Sequence, residues 1–298
     1  MRAYRVVRME EQVAVARTKA AQIDDWTTER LIDLRFVVET LRSFPIFDPA
    51  AKPEVAALAE LVLAQFLSAY PERVAVGVFR PDGRPIIVQG RFDPLLADAL
   101  RADIEETAKR NKPYIGVVNP GGAHETGLSL AFMAPLAGPN RTGTDRLVVA
   151  SVVDPTVALL KRFGEWPAAG KGTLTLGFRS GDELVQIVDA GKQMGSAVLS
   201  VRAAIPEERL TRVLADTRGE ASWRGIGQGG QQTLTAAYAV KDMPWTVIAR
   251  TDLKEAMAPI SRQIWALWVA TAVVIAFGGL LMLTVRSQMK LSRLLAHV

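Results

Sequence analysis

Two groups of residues stand at spacings that could support chemistry. His124-Glu125 follows Gly121-Gly122, a turn able to present an imidazole and a carboxylate for acid–base work. The cluster Gly225-Ile-Gly-Gln-Gly-Gly230 has the glycine density of a loop that wraps a phosphate. Neither is completed by its surroundings. The chain has no cysteine and only one other histidine, His297, so thiol nucleophiles, disulfides, iron–sulfur ligation and Cys/His zinc sites are excluded. His124-Glu125 is therefore expected to be exposed loop polarity. No Lys-Ser/Thr pair follows the glycine cluster and the next element has the pattern of a strand, so a flexible connection is expected there. Kinase, cyclase and phosphatase signatures are absent. The expectation is a chain with no enzymatic activity of its own, no cofactor and no metal.

What remains is binding, and the composition bounds it. With 298 residues, 49% hydrophobic and 22% charged, the chain is too apolar for disorder and long enough for two modest cores. Its 36 basic and 31 acidic residues leave a net charge of +5 spread along the sequence, with no basic arm, so no nucleic-acid partner is expected. The basic balance admits a carboxylate ligand.

The elements that would position a binding site are legible from periodicity. Met9 to Phe44 contains neither glycine nor proline, and Pro45 ends the run, which predicts one long helix. Val13, Ala16, Ala20, Ile23, Thr27, Arg30, Leu34, Val37 and Leu41 alternate steps of three and four along it. That 3.5-residue period suits either a supercoiled seam, which would make a homodimer, or a long stripe against a domain. A second helix is predicted over Glu54 to Ala69, packing on Val55, Leu58, Leu61, Val62 and Phe66.

The period then drops to two. Val74 to Phe79, the turn Pro81-Asp82-Gly83 and Ile86 to Val88 predict a hairpin. Pro94 to Arg110 predicts a helix capped by Asp93, and Tyr114 to Val118, Gly127 to Leu136 and Arg146 to Val153 predict three strands. After Trp166-Pro167 the order recurs more briefly: strands at Thr173 to Phe178 and Leu184 to Val188, a helix at Glu207 to Asp216, strands at Thr233 to Val240 and Thr246 to Arg250. A helix from Asp252 to Ala258 leads onward.

Ile264 to Val285 is a run of 22 residues without a charge. At 1.5 Å per residue it reaches roughly 33 Å, enough to cross a hydrocarbon core of about 30 Å, with Trp265 and Trp268 where an interfacial belt would place them. Arg286, Lys290 and Arg293 follow with no acid, whereas Lys241 to Gln263 mixes four basic residues with three acidic ones. The positive-inside rule then puts the C-terminus in the cytoplasm and everything before residue 264 in the periplasm or outside the cell. The start, MRAYRVVRMEEQ, has no apolar stretch to direct that export, so a fragment or mis-assigned start lacking an upstream transmembrane helix is expected, as is a missing cytoplasmic output domain after the amphipathic stub of Leu291, Leu294 and Leu295.

This order resembles the double Cache, tandem PAS-like, extracytoplasmic sensor region of bacterial histidine kinases, diguanylate cyclases and chemoreceptors. The residues that carry the resemblance are Ile23-Asp-Asp-Trp26 with Arg30, Val76-Gly-Val-Phe-Arg-Pro-Asp-Gly83, Val149-Ala-Ser-Val-Val-Asp-Pro155, Thr173-Leu-Thr-Leu-Gly-Phe-Arg-Ser-Gly-Asp182, and Asp242-Met-Pro-Trp-Thr-Val-Ile-Ala-Arg-Thr-Asp252 with Glu255-Ala256. The resemblance implies an α+β fold: a long N-terminal helix (1–50), a membrane-distal module with an antiparallel sheet (51–165), a membrane-proximal one (166–262), a transmembrane helix (263–285) and a cytoplasmic stub (286–298). It also implies that a small molecule binds in the distal module and that a helix displacement carries the signal through the bilayer of the inner membrane. The competing reading is a membrane-anchored scaffold or partner-binding protein whose PAS-like folds hold no small molecule.

In such modules the ligand lies between the sheet and what covers it, which makes Tyr114, Ser129, Phe132 and Asp154 the expected ligand-binding residues, with Arg30 from the long helix. Asp154 resembles the aspartate that holds the ammonium of amino-acid ligands in part of the family; its other reading is the cap of a helix from Pro155 to Phe163. The arginine and paired aromatics of the amino-acid-binding pattern do not occur around Lys109 to Val117. Trp26 and Arg30 lie four apart on one helix face, so they either latch the helix onto the distal module or let Arg30 close the pocket over an anion.

Overall fold

The computed structural model describes residues 2–44, 53–118, 129–136, 146–155, 157–159, 172–180, 183–189, 202–204, 219–226, 230–241, 243 and 245–295. Helix α1 (Arg2–Arg42) is longer at its start than the sequence pattern predicts, and at about 1.5 Å per residue it extends for about 60 Å. Its seam is consumed inside the chain: Ala16, Ala20, Ile23, Thr27, Arg30, Leu34, Val37 and Leu41 are all buried, and half-buried Val13 packs on the same core. The stripe crosses first one antiparallel sheet and then another. Of the two readings of the 3.5-residue period, the stripe against a domain is the one realised. The seam is not available to a second copy.

Helix α2 (Pro53–Ser68) follows. Here the predicted stripe is rotated, because α2 meets the first sheet through Ala59 and Leu63, which are fully buried, while Leu58 and Leu61 face outward. Strands β1 (Arg73–Phe79) and β2 (Pro85–Gly90) form the predicted hairpin. Its turn is closed by the Gly83 N–H on the Arg80 carbonyl at 2.9 Å, with Gly83 at φ +81. Helix α3 (Pro94–Arg110) has the predicted bounds, with the Asp93 carboxylate accepting from the Leu96 N–H at 2.8 Å and Asn111 ending it in the left-handed region. Strands β3 (Tyr114–Val118), β4 (Ser129–Leu136) and β5 (Leu147–Val153) complete a sheet of order β2-β1-β5-β4-β3, antiparallel throughout. Alternate residues divide its two faces. Val76, Val78, Leu130, Phe132, Ala134, Val149 and Val153 face α1, while Ala75, Ala131, Met133, Val148, Ala150 and Val152 face α3.

The second sheet comprises β6 (Gly172–Ser180), β7 (Glu183–Asp189), β8 (Arg202–Ala204), β9 (Glu220–Ile226), β10 (Gln232–Ala239) and β11 (Trp245–Asp252), in the order β8-β7-β6-β11-β10-β9. Without the short edge strand β8, this is the strand order of the first sheet repeated. Two strands escape sequence reasoning. β8 is three residues long, and β9 is an edge strand whose Glu-Ala-Ser-Trp-Arg-Gly-Ile run does not alternate. The expected flexible connection at 225–230 is corrected at its start: Gly225 and Ile226 pair with Thr233 and Gln232. The helix expected at 207–216, most of the one expected from Pro155, and His124-Glu125 lie outside the described residues.

Leu174, Leu176, Ala236, Val247 and Ala249 of the second sheet belong to the same continuous core as the first sheet's α1 face. Strand β11 runs without a loop into helix α4 (Leu253–Leu295), where the Asp252 carboxylate accepts from the Lys254 N–H at 2.9 Å. Within Leu253–Leu280 the most apolar 18-residue window has a mean hydropathy of 1.8, and among the described residues this is the one helix long and apolar enough to cross a membrane. Residues 262–280 are exposed throughout, as a lipid-facing surface would be.

Candidate functional site

On the α3 face of the first sheet, Leu96, Leu100 and Ile104 close down on Ala131, Met133, Ala150 and Val152. The polar residues of that face gather at β3. Gly116 is the reason they can: a Cβ there would stand 2.2 Å from Oδ2 of Asp103, so only glycine lets this α3 carboxylate lie over the strand. Burial pushes the Asp103 carboxyl above its ordinary range. The neighbouring Tyr114 phenol is also pushed up, first by burial and then by the Asp103 charge. Thr107, buried one turn on, donates its hydroxyl to the Asp103 carbonyl at 2.7 Å. Tyr114 and Ser129 are half-buried on this face at opposite ends of the β3–β4 ladder, in the pairs Tyr114–Met133 and Val118–Ser129.

Phe132 and Arg30 lie on the other face. Phe132 is fully buried and meets the edge of Trp26, ring centroids 5.4 Å apart at 85°. Arg30 is buried on α1 with Nη2 3.1 Å from Glu29, and Nη1 3.2 Å from Asp33 and 3.8 Å from Glu72; its guanidinium lies 3.8 Å from the Tyr70 ring centroid. Arg73, at the start of β1, shares Asp33 at 3.0 Å, stacks on Phe66 at 3.5 Å and donates to the Phe66 carbonyl. Burial pulls Arg73 down to about 10, which still leaves it charged at neutral pH. Two arginines and three carboxylates thus tie α1 to the end of α2 and the start of β1. The contacts of Trp26 and Arg30 are those of a latch between helix and sheet.

Asp154 caps neither face. It follows β5, its N–H donates to the Glu72 carbonyl at 2.8 Å, and its own carbonyl accepts from Ala158 at 3.2 Å, the first turn of a helical segment. The five residues expected around one ligand are therefore distributed: Tyr114 and Ser129 on the α3 face, Phe132 and Arg30 on the α1 face, Asp154 at a strand end. Sequence reasoning missed Asp103, Glu72, Arg73 and Tyr70. A glycine inside a predicted strand, Gly116, was the available signal for Asp103; nothing in the sequence pattern marks the Arg73 cluster, which needs α1 and β1 side by side.

Along the second sheet, open clefts lie beside α1 among the described residues. One of about 640 Å³ lies between Val6, Met9 and Val13 and the β9–β10 residues Glu220, Ser222 and Leu234. Another of about 520 Å³ is bounded by Ala20, Asp24, Tyr238 and Lys241. Arg17 lines both, held by Glu220 at 2.9 Å and set over the Tyr238 ring at 5.6 Å. Glu220, Ser222, Arg224, Leu234 and Tyr238 put even-numbered residues of β9 and β10 on the α1 side, with Ala239 joining the lining at the end of β10.

No protein-family model matches the sequence, and no characterised protein matches it at the sequence level. Solved structures do share the fold. The extracellular domain of mmHK1S-Z3, assigned to a histidine kinase, superposes with a TM-score of 0.61 at 12% identity over 86% of this chain and 98% of that one. The corresponding domain of rpHK1S-Z16 gives 0.59 at 13% identity, over 83% and 95%. The ligand-binding domain of the Campylobacter jejuni chemoreceptor Tlp3, solved with L-valine, gives 0.58 at 11% identity, over 85% and 96%. The fold is that of the PAS-like extracellular sensor domains of membrane receptors.

Proposed function

We propose that this chain is the ligand-sensing region of a bacterial transmembrane signalling receptor of the double Cache type, working as a binding domain rather than as an enzyme. The observation that carries the reading is mechanical continuity: one helix, α1, shares a single core with both sheets, and the last strand of the second sheet enters the apolar helix α4 with no intervening loop. A change in either sheet has a short path to the membrane, because close-packed cores shift between discrete arrangements rather than deform smoothly. The sheets then lie outside the cell or in the periplasm, the C-terminal end of α4 in the cytoplasm, and the output is a kinase, cyclase or chemotaxis module beyond this chain. Neighbours of the same fold bind amino acids such as L-valine and L-norvaline, which supports a small-molecule stimulus here too. We assign Tyr114 and Ser129, on the α3 face of the first sheet, as its contacts there, with Asp103 beside Tyr114. A homodimer would use a surface other than the α1 seam; exposed Ile32 and Phe36 on the outer side of α1 are suited to it.

The test is a thermal-shift screen of the full chain in lipid nanodiscs against amino acids, organic acids, amines and purines. A ligand at a hundred times its dissociation constant stabilises the fold by about 2.7 kcal/mol, an easily read shift. Silence across the panel by a folded protein would favour a membrane-anchored scaffold instead.

A further inference from the structure

The apolar seam of α1 runs further than the sheets cover it. From Ala16 to Leu41 its positions are buried. The same steps of three and four continue backwards through Val13, Met9 and Val6, where burial falls away: Val13 and Met9 are half-buried and Val6 is 53% exposed. These three side chains form one wall of the cleft of about 640 Å³ against β9 and β10, with buried Leu234 on the strand side. At 1.5 Å per residue the wall extends for about 10 Å from Val6 to Val13, about two turns of helix. An apolar stripe that continues past its own fold is a surface that something apolar covers.

The charges lining this cleft are not all engaged. Arg17 is held by Glu220 at 2.9 Å and lies over the Tyr238 ring. Glu10 on α1 and Arg224 on β9 are both exposed and line the same cleft. Among the described residues neither has an ion-pair or hydrogen-bond partner, and the two do not pair with each other. A free carboxylate and a free guanidinium on one apolar trough are complementary to a head group that carries both an ammonium and an acid, and the guanidinium fork suits a phosphate. The wall of Val6, Met9 and Val13 is longer than an amino-acid side chain reaches, so the body that fits it is an alkyl chain.

We propose that this cleft binds a single-chain zwitterionic amphiphile of the lysophosphatidylethanolamine type, its phosphate met by Arg224, its ammonium by Glu10 and its alkyl chain laid along Val6, Met9 and Val13. The site is separate from the first-sheet contacts assigned above and does not depend on them. It adjoins the route to α4: Leu234 pairs with Thr251, and α4 begins two residues on, at Leu253. A chain seated between α1 and β10 therefore bears on the root of the apolar helix, because packed elements shift together.

The experiment uses the full chain in nanodiscs. Because the chain has no cysteine, Ala14→Cys carries a single environment-sensitive bimane in the cleft, and Thr28→Cys carries one on the exposed surface of α1 as a control. The probe is octanoyl lysophosphatidylethanolamine. The contrasts are octanoyl lysophosphatidylglycerol, which lacks the ammonium, octylamine, which lacks the acid, and phosphoethanolamine and L-leucine, which lack the chain. The expected result is a saturable blue shift of the cleft label with the probe, binding about threefold to tenfold weaker for each charge contrast, and no shift with the chainless compounds. Arg224→Gln and Glu10→Gln should each weaken the probe by about threefold to tenfold, and Met9→Gln, which keeps helix propensity, by about tenfold. These positions are exposed or half-buried, so unchanged melting of the variants without ligand shows that the fold is intact. A shift that rises without saturating, or appears equally at position 28, is partition into the bilayer and would overturn the proposal. So would probe binding that ignores Arg224→Gln and Glu10→Gln, or a cleft label that shifts with protein concentration alone, which gives the stripe to a second copy. None of these outcomes bears on the first-sheet reading, which its own panel tests.

Discussion

Replacing Arg30 by alanine tests the latch. Its side chain is 4% exposed, and its three carboxylate neighbours are graded: Glu72 11%, Asp33 27% and Glu29 54%. Removing one partner of a buried ion pair costs about 3–5 kcal/mol, chiefly because the remaining charge is stranded. Here Asp33 keeps Arg73 at 3.0 Å and Glu29 is half in water, so Glu72 alone is stranded. The cost should fall at the lower end, about 3 kcal/mol, the lost stack on Tyr70 included. For a folded region of this size that is about 6–12 °C in melting midpoint. The assay is thermal unfolding of the full chain in nanodiscs, followed by near-ultraviolet dichroism without ligand. Arg42→Ala is the control: its pair with Glu39 is 44% and 54% exposed and should matter by less than about 0.5 kcal/mol. An Arg30→Ala midpoint indistinguishable from that control would refute the reasoning. A lid over an anion makes the opposite demand, with ligand affinity changed and unliganded stability untouched.

Further expectations concern the first sheet. Gly116→Ala puts a Cβ 2.2 Å from the Asp103 carboxylate and should cost about 1–3 kcal/mol; in an Asp103→Ala background most of that cost should disappear, and simple additivity in a double-mutant cycle would show that the two do not touch. Gly90→Ala has no such remedy, since Gly90, the last residue of β2, sits at φ +93 and its Cβ would lie 2.4 Å from the Val74 carbonyl; a loss of at least about 2 kcal/mol is expected in denaturant titration, and wild-type stability would contradict the described end of β2. Burial raises the native pKa of Asp103, so its contribution to stability is complete below the ordinary value of 3.8 and is lost as pH rises through the raised one. Asp103→Asn should accordingly be more stable than the wild type at neutral pH, with the gap closing on acidification; a gap that does not vary with pH would remove Asp103 from the buried cluster.

Much of this architecture is written in short-range pattern. The shift from a 3.5-residue period to a period of two separates α1 from the sheets, Asp93 and Asn111 bound α3, and the charge-free run after Ile264 marks the apolar helix, because propensity, capping and transfer from water depend on neighbours a few residues away. The repetition of the strand order was legible as well, apart from β8 and β9, whose pairing comes from partners and not from their own alternation. Periodicity says that residues alternate, but not which alternate faces which neighbour. That Phe132 lies under Trp26 while Tyr114 lies under α3, that the seam of α1 faces two sheets rather than a twin helix, and that Arg30 and Arg73 share Asp33 are decided only when α1 docks. The physical reason is range: a strand's own sequence sets the period of its side chains, while the energy that assigns each face comes from burial against segments tens of residues away.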